Sequence, residues 1–216
     1  MKGSLSLRCR GRSTYRPCSP EVYVSPPMPH TTAHLNYTVR RFKPTDAESM
    51  YAAVRSSIDN LAYWMPWCRE DYSLPDAEAW IQFTIQAWSA GIEFPLGIFE
   101  AHTGAVVGGT GVNHINRAYQ IGNVGYWVSD AHKGRGVARF AAQEAALLGF
   151  GQLGLTRLEI VVLSHNLASK KVAQALGATW ECTARNRLYF QGRPHDAEVY
   201  SLVPEDAKAW AKHREA

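Results

Sequence analysis

Trp127-Val128-Ser129-Asp130-Ala131-His132-Lys133-Gly134-Arg135-Gly136-Val137-Ala138 begins as a strand and ends as the start of a helix, with glycines at the joint. The helix beyond it is clean. Val137, Phe140, Ala141, Ala145 and Leu148 recur at helical spacing and form one apolar stripe. A glycine-rich turn opening into a helix exposes backbone N–H groups, and the helix dipole adds partial positive charge there. Such a turn suits an anion, phosphate best. The plainer alternative is an ordinary strand-to-helix turn, because short glycine motifs recur by chance.

The strand feeding this turn runs from Ile121 to Ser129, and the helix after it ends near Gly151 or Gly154. Leu158 to Leu163 is nearly all apolar, which predicts a strand covered on both faces. Ser164-His165-Asn166 makes a second turn. A short helix follows, with Ala168, Val172, Ala175 and Leu176 on one side and Gly177 as its stop. Ile121 to Leu163 is therefore a strand–helix–strand crossover, expected to be right-handed. Both turns leave strands to enter helices, so they share one edge of the sheet, where one ligand can touch both.

Toward the N-terminus, Tyr37 to Phe42 alternates as a first strand, and Pro44-Thr45-Asp46 starts a helix with Ala47, Met50, Val54 and Ile58 inward. Leu61 to Tyr72 reads as aromatic and irregular. Pro75-Asp76 opens a helix that runs to Ala90 and stops at Gly91. Phe94 to Ala101 and Ala105 to Ile115 form a hairpin across His102-Thr103-Gly104. Gly108, Gly109 and Gly111 weaken its second strand and imply a close approach to that backbone. Trp180 to Phe190 and Ala197 to Val203 form a last hairpin across Gln191-Gly192-Arg193-Pro194, and a short helix starts at Pro204. The fold class is thus α/β: a mixed sheet with helices on its faces, in the order β α α β β β α β α β β.

Length and charge set limits on function. At 216 residues the chain fits one domain with extensions. Residues 1–27 hold Lys2, Arg8, Arg10, Arg12 and Arg16 against Glu21, so of 23 basic and 19 acidic residues the rest of the chain keeps 18 of each. The +4 formal charge sits in that arm, and a uniformly basic nucleic-acid-binding body is not supported. The arm, 1–33, reads as disordered, with Met28 as an alternative start; its Arg- and Ser-rich composition also suits an organellar leader. The domain proper is placed at 34–206, with a terminal helix or tail at 207–216. No apolar run approaches the roughly 20 residues of a membrane span. Cys9, Cys18, Cys68 and Cys182 show no zinc or redox spacing, so no metal and a reduced, cytoplasmic setting are expected. Cys182 has no activating neighbour and reads as a small buried hydrophobe.

The order of elements over residues 37–203 resembles the GCN5-related N-acetyltransferase (GNAT) family, which uses acetyl-coenzyme A. The family's turn motif is Q/R-x-x-G-x-G/A, matched here by Lys133, Gly136 and Ala138, with Lys in place of the usual Gln or Arg. Gly125-Tyr126-Trp127-Val128, Asn166-Leu167-Ala168-Ser169, Leu176-Gly177-Ala178 and Trp64-Met65-Pro66-Trp67 resemble the RimJ/RimL-like branch, which acetylates the N-terminal amine of ribosomal proteins. The resemblance implies a central mixed, mostly antiparallel sheet of about seven strands flanked by helices.

It also implies roles. Lys133, Gly134, Arg135, Gly136, Val137 and Ala138 would hold the pyrophosphate, the Val128 backbone the pantetheine, and Asn166 its amide. The alternative for Asn166 is a turn residue that merely caps the next helix, and the two roles can hold at once. The tyrosine that many members place seven residues after that Asn is Ala173 here. Ser169, three residues after it, is the branch's candidate acid for the departing thiolate; its alternative is an exposed helix serine. A glutamate base of the branch would fall near Leu188, so that role does not carry over. Glu159, a lone carboxylate on an apolar strand, is the candidate base. His195 and Asp196 match the branch's last turn, or cap a hairpin. Trp64, Trp67 and His114 are candidate acceptor contacts, although an aromatic block often serves as core.

The expected reaction is direct acetyl transfer to a primary amine, first a ribosomal-type protein N-terminus. The alternatives are a small amine such as an antibiotic or polyamine, a bulkier acyl donor, a non-catalytic coenzyme-binding regulator, or a ribosome-binding module led by the arm. A monomer or homodimer is expected, with no membrane and no nucleic-acid partner for the body.

Overall fold

The computed structural model describes residues 36–211; the basic arm, Cys9, Cys18 and the last five residues lie outside that span. Seven strands form one sheet: β1 (Tyr37–Arg40), β2 (Phe94–Glu100), β3 (Val106–Asn116), β4 (Ile121–Val128), β5 (Arg157–Leu163), β6 (Thr179–Phe190) and β7 (Arg193–Leu202). Their order is β1-β2-β3-β4-β5-β7-β6. Every neighbouring pair is antiparallel except β4 with β5. Six α-helices accompany them: α1 (Ala47–Arg55), α2 (Ile58–Trp64), α3 (Leu74–Ala90), α4 (Val137–Gly151), α5 (Leu167–Ala175) and α6 (Pro204–Ala211). The mixed, mostly antiparallel architecture expected from the sequence is the one observed.

α4 is the centre of one layer. Its stripe is buried as the spacing requires, with Val137, Phe140, Ala141 and Leu148 packed against Leu96 and Ile98. Its other flank, Ala142, Ala145 and Ala146, packs against Leu158, Ile160 and Val162 of β5. Alanines on this side let helix and sheet approach closely. Gly149 extends the effect, since a Cβ there would meet Leu158 Cδ1 at 2.9 Å. On the opposite face, α1 and α3 cover Phe99 and Val106 through Met50, Val54 and Ile81.

Several local readings need correction. The first strand stops at Arg40, although Phe42 is still buried, edge-on to Phe99. The first helix breaks at Ser56-Ser57, and a separate helix, α2, runs from Ile58 into the stretch read as irregular, taking Leu61–Trp64 out of it. β5 is not covered on both faces: Leu158, Ile160 and Val162 are buried, whereas Arg157, Glu159 and Val161 are half-buried. The last hairpin turns on only Gln191 and Gly192, with φ of 47° and 76°. Both values are left-handed, as a two-residue hairpin turn demands. Cys182 is exposed on β6 rather than buried.

The open face of β5–β7–β6 carries charge instead of helices. Arg157 donates to Glu181 at 2.7 and 2.5 Å and to Glu159 at 3.3 and 3.1 Å. The Glu181 carboxyl is pulled down to about 2, chiefly by the Arg157 hydrogen bond and then by Ser201. A carboxyl lowered by folding stabilises above its ordinary range, near 4.5, and loses that contribution as pH falls toward 2. Glu181→Gln is therefore expected to be less stable than the parent at pH 7. The gap, read by urea unfolding, should close as pH drops from about 4.5 to about 2. A gap constant across that window would show that the pair contributes nothing.

Candidate active site

The glycine turn and the Asn166 turn lie at one sheet edge, joined by a cleft of about 490 Å³. Val128, Lys133, Gly134, Gly136, Val137, Ala138, Asn166, Ser169 and Trp64 all line it. Arg135, also expected there, is exposed and lies outside the lining.

Gly136 is the N-cap of α4 at φ 76°, and Gly134 sits at φ 72°. No side chain caps the helix and no acid lies in its first turn. The first helical bond is Phe140 N–H to the Gly136 carbonyl, at 3.0 Å. The N–H groups of Val137, Ala138 and Arg139 are thus left without partners among the described residues, at the positive end of a 15-residue helix. Lys133 is committed elsewhere: its Nζ lies 2.5 Å from Asp130 Oδ1. Asp130 also accepts from Asn60 Nδ2 at 2.7 Å, and its N–H donates to Ser57 Oγ at 2.8 Å, tying the loop to α2. The exposed side chains of Arg139 and Lys171, which line the same cleft, supply the free positive charge.

The inner end of the cleft is made by a strand separation. The β4–β5 ladder pairs Ile121, Gly122 and Asn123 with Arg157, Leu158 and Glu159, and then stops. Ser129 N–H donates to the Val107 carbonyl at 2.8 Å, toward β3. Backbone groups alternate along a strand, so Val128 N–H points to the other edge, where β5 no longer runs. This is a backbone donor without a strand partner, on a buried residue that lines the cleft.

Asn166 caps α5, its Oδ1 accepting from Ser169 N–H at 3.0 Å, so the capping alternative holds. Its Nδ2 has no hydrogen bond among the described residues, and Asn166 lines the cleft. Ser169 is not an isolated surface hydroxyl. Tyr126 OH lies 3.0 Å from Ser169 Oγ and donates to the Ser169 carbonyl at 3.1 Å. Burial pushes the Tyr126 phenol up to about 12, against the opposing pull of the Ser169 hydrogen bond. The Gly125–Val128 motif gives Tyr126 no role; period-two patterning places it on a strand but not against a residue 43 positions later.

A second cleft, of about 520 Å³, opens on the opposite face of the sheet. Trp67, Trp80, Phe83 and Trp127 wall it, over Gly109, Gly111 and Gly125. Met65, Tyr126 and Trp127 belong to both clefts. The two therefore meet where β4 leaves β5. The close approach implied by the β3 glycines is internal: a Cβ on Gly108 would strike the Trp127 carbonyl, and one on Gly109 would meet Trp127 Nε1 at 2.6 Å.

Trp64 and Trp67 divide between the clefts, Trp64 packing on His165 and Phe190 and Trp67 on Tyr72 and Trp127. Glu159 and His114 line neither. Glu159 is held by Arg157 and Arg187 on the charged face. His114 is exposed, at φ 49°, where β3 slips register against β4. Asp196 takes the structural option, its Oδ1 accepting from Asn186 N–H at 2.9 Å. Ala173 is wholly buried. Among the described residues no group of His, Cys, Asp or Glu could hold a metal ion.

A family model described as Acetyltransferase (GNAT) domain matches residues 36–179, two thirds of the chain and the whole of the glycine turn. The chain belongs to the GNAT acetyltransferase family. It is an N-acetyltransferase, and its relatives agree. A Bacillus subtilis protein provisionally named ribosomal N-acetyltransferase YdaF is 25% identical over 175 residues, covering 78% of this chain and 92% of its own. A Vibrio cholerae structure provisionally named a ribosomal-protein-serine acetyltransferase is 31% identical, with a TM-score of 0.68, covering 78% of this chain and 94% of its own. The ribosomal-protein-S5-alanine acetyltransferase of Vibrio fischeri shares the fold, with a TM-score of 0.71 at 24% identity over 79% of this chain and 94% of its own.

Gly136→Val tests the phosphate end of this acetyltransferase. A side chain at φ 76° is strained and costs roughly 1 kcal/mol of stability, and it would occupy space, empty within 4 Å, beside the unpartnered N–H groups of Val137–Arg139. Calorimetric titration should show coenzyme A binding weakened by at least roughly tenfold, the loss of one to two charge-assisted bonds. Unaltered affinity would exclude the loop from binding.

Proposed function

We propose that the protein transfers acetyl from acetyl-coenzyme A to a protein N-terminal α-amine of the kind ribosomal proteins present, directly and without an acetylated enzyme. The observation that carries it is the meeting of two clefts through the β4–β5 separation, one built for a long anionic ligand and one for its acceptor. Names borne by the Bacillus subtilis and Vibrio cholerae relatives support a ribosomal acceptor. A polyamine acceptor is disfavoured, because a polycation needs several free carboxylates. Asp76 is already taken by Ser73 and Arg69, which leaves Glu93 as the one uncommitted acid among the described residues lining the acceptor cleft.

Acetyl-coenzyme A supplies a thioester whose carbonyl carbon takes the amine nitrogen as the C–S bond breaks. The phosphates lie on the Val137–Arg139 N–H groups, with Arg139 and Lys171 beside them. Asn166 Nδ2 holds an amide of the coenzyme's arm. Val128 N–H donates to the carbonyl oxygen as it gains charge. The nitrogen must lose one proton and the sulfur gain one. Ser169 Oγ–H gives one proton to sulfur and takes one back from Tyr126 OH, which in turn takes up the proton that the nitrogen releases through water. The Tyr126 phenol stays protonated throughout the working range, so it serves as a neutral relay. A free α-amine titrates near 7.7–8.0, so a usable neutral fraction exists near neutrality and its proton can leave through water.

Free-thiol release against a panel of N-terminal peptides and small amines tests the reading. Turnover of peptides is expected, and no release with any acceptor despite coenzyme binding would sink it. Ser169→Ala should lower kcat by roughly a hundredfold, the scale of one proton donor, with coenzyme affinity nearly kept. Tyr126→Phe should lower kcat by roughly tenfold, the loss of one hydrogen bond. Equal losses in kcat and coenzyme affinity would mean that the pair only positions the ligand.

A further inference from the structure

The acceptor cleft has a shape and chemistry of its own. Gly125 lies on the same strand face as Trp127, two residues along, and a Cβ there would meet only Asn113 Nδ2, at 3.9 Å. The floor is therefore an open socket over bare backbone. The walls are flat and apolar: Trp80 stacks on Phe83 with ring centroids 5.3 Å apart, and Trp67 meets Trp127 at 5.9 Å. Trp67 and Phe83 remain 40% and 43% exposed, so large apolar surface faces water at the rim. Tyr72, 6% exposed, lies in the same wall, and its hydroxyl is the buried side-chain oxygen without a hydrogen-bond partner among the described residues. Glu93 lines the cleft with no ion pair or hydrogen bond from the described residues.

A small first residue such as Ser or Ala would leave this socket empty and the rings wet. We infer that the acceptor carries a large apolar group beside its amine, which for a protein N-terminus means a first residue such as Phe, Met or Leu. The group sits on Gly125 between Trp67 and Phe83. Glu93 offers a carboxylate to a donor of the acceptor, and the buried Tyr72 hydroxyl a hydrogen-bonding group in the wall. The inference rests on reading this cleft as the acceptor site.

Full-length protein, acetyl-coenzyme A and peptides identical except in their first residue provide the test. Phe, Met and Leu peptides should exceed Ser, Ala and Gly peptides in kcat/KM by at least roughly tenfold, mainly through KM, as burial of one large side chain implies. Equal or reversed preference overturns the inference while leaving protein acetylation standing. If no peptide turns over, phenethylamine is compared with propylamine. Preference for phenethylamine supports the apolar socket and removes the N-terminal reading; no preference, or no turnover of either, overturns the inference. Gly125→Val fills the socket at a backbone angle open to any residue. It should cut kcat/KM for the Phe peptide at least tenfold and that for the Ala peptide less than threefold, with coenzyme A affinity retained. Equal loss for both peptides contradicts the socket. Phe83→Ala, at the exposed rim, checks the same preference should Gly125→Val fail to fold: the Phe-over-Ala ratio should shrink, and an unchanged ratio contradicts the socket.

Discussion

The β4–β5 ladder ends after three residue pairs, and the site depends on that ending. A parallel pair that continued would satisfy the outer edge of β4 and close the sheet. Instead the edge from Val124 onward has no strand beside it, and its backbone groups need another partner. The same strand then turns through two left-handed glycines into a helix whose first N–H groups are also unmet. Free strand edge and free helix end thus lie along one line, matched to a ligand with an extended arm and an anionic end.

An opening in a sheet is stable only if its two sides are held from elsewhere. α4 does most of this, because its Ala141–Ala142 and Ala145–Ala146 pairs let it pack on both β1–β3 and β5. A second brace is aromatic. Trp64 of α2 contacts His165 before α5 and Phe190 at the end of β6, with centroids 5.4 and 6.1 Å apart. The third is polar, with Asp130 bonded to Asn60, Ser57 and Lys133. Lys133, expected to help hold phosphate, is instead paired with Asp130 in this clamp, and the backbone N–H groups at the start of α4 stay unpartnered among the described residues.

Legibility followed the range of the interaction. The stripe on α4, the glycine joint, the Asn166 cap and the hairpin of β2 and β3 are local patterns, and each appears where the residues indicated. The sharing of one edge by two turns was also readable, because topology alone requires it. Contacts between distant positions were not. Tyr126 meets Ser169 across 43 residues, and nothing in a strand's alternation announces that. Glu159 looked like an unpaired acid because Arg187 and Glu181 reach it and its partner Arg157 from another strand. His114 was assigned a strand face that a register slip removes. The second cleft was hidden for a similar reason: its floor is glycine, which leaves no side chain in the pattern, and its walls come from α3, β4 and the segment after α2.

Amide hydrogen exchange of the full-length protein, with and without coenzyme A, tests the central claim most directly. The Val128 amide at the free edge of β4 and the Val137, Ala138 and Arg139 amides at the start of α4 should exchange rapidly alone and be protected together on binding. Binding that leaves all four unprotected would place the coenzyme elsewhere and contradict the account.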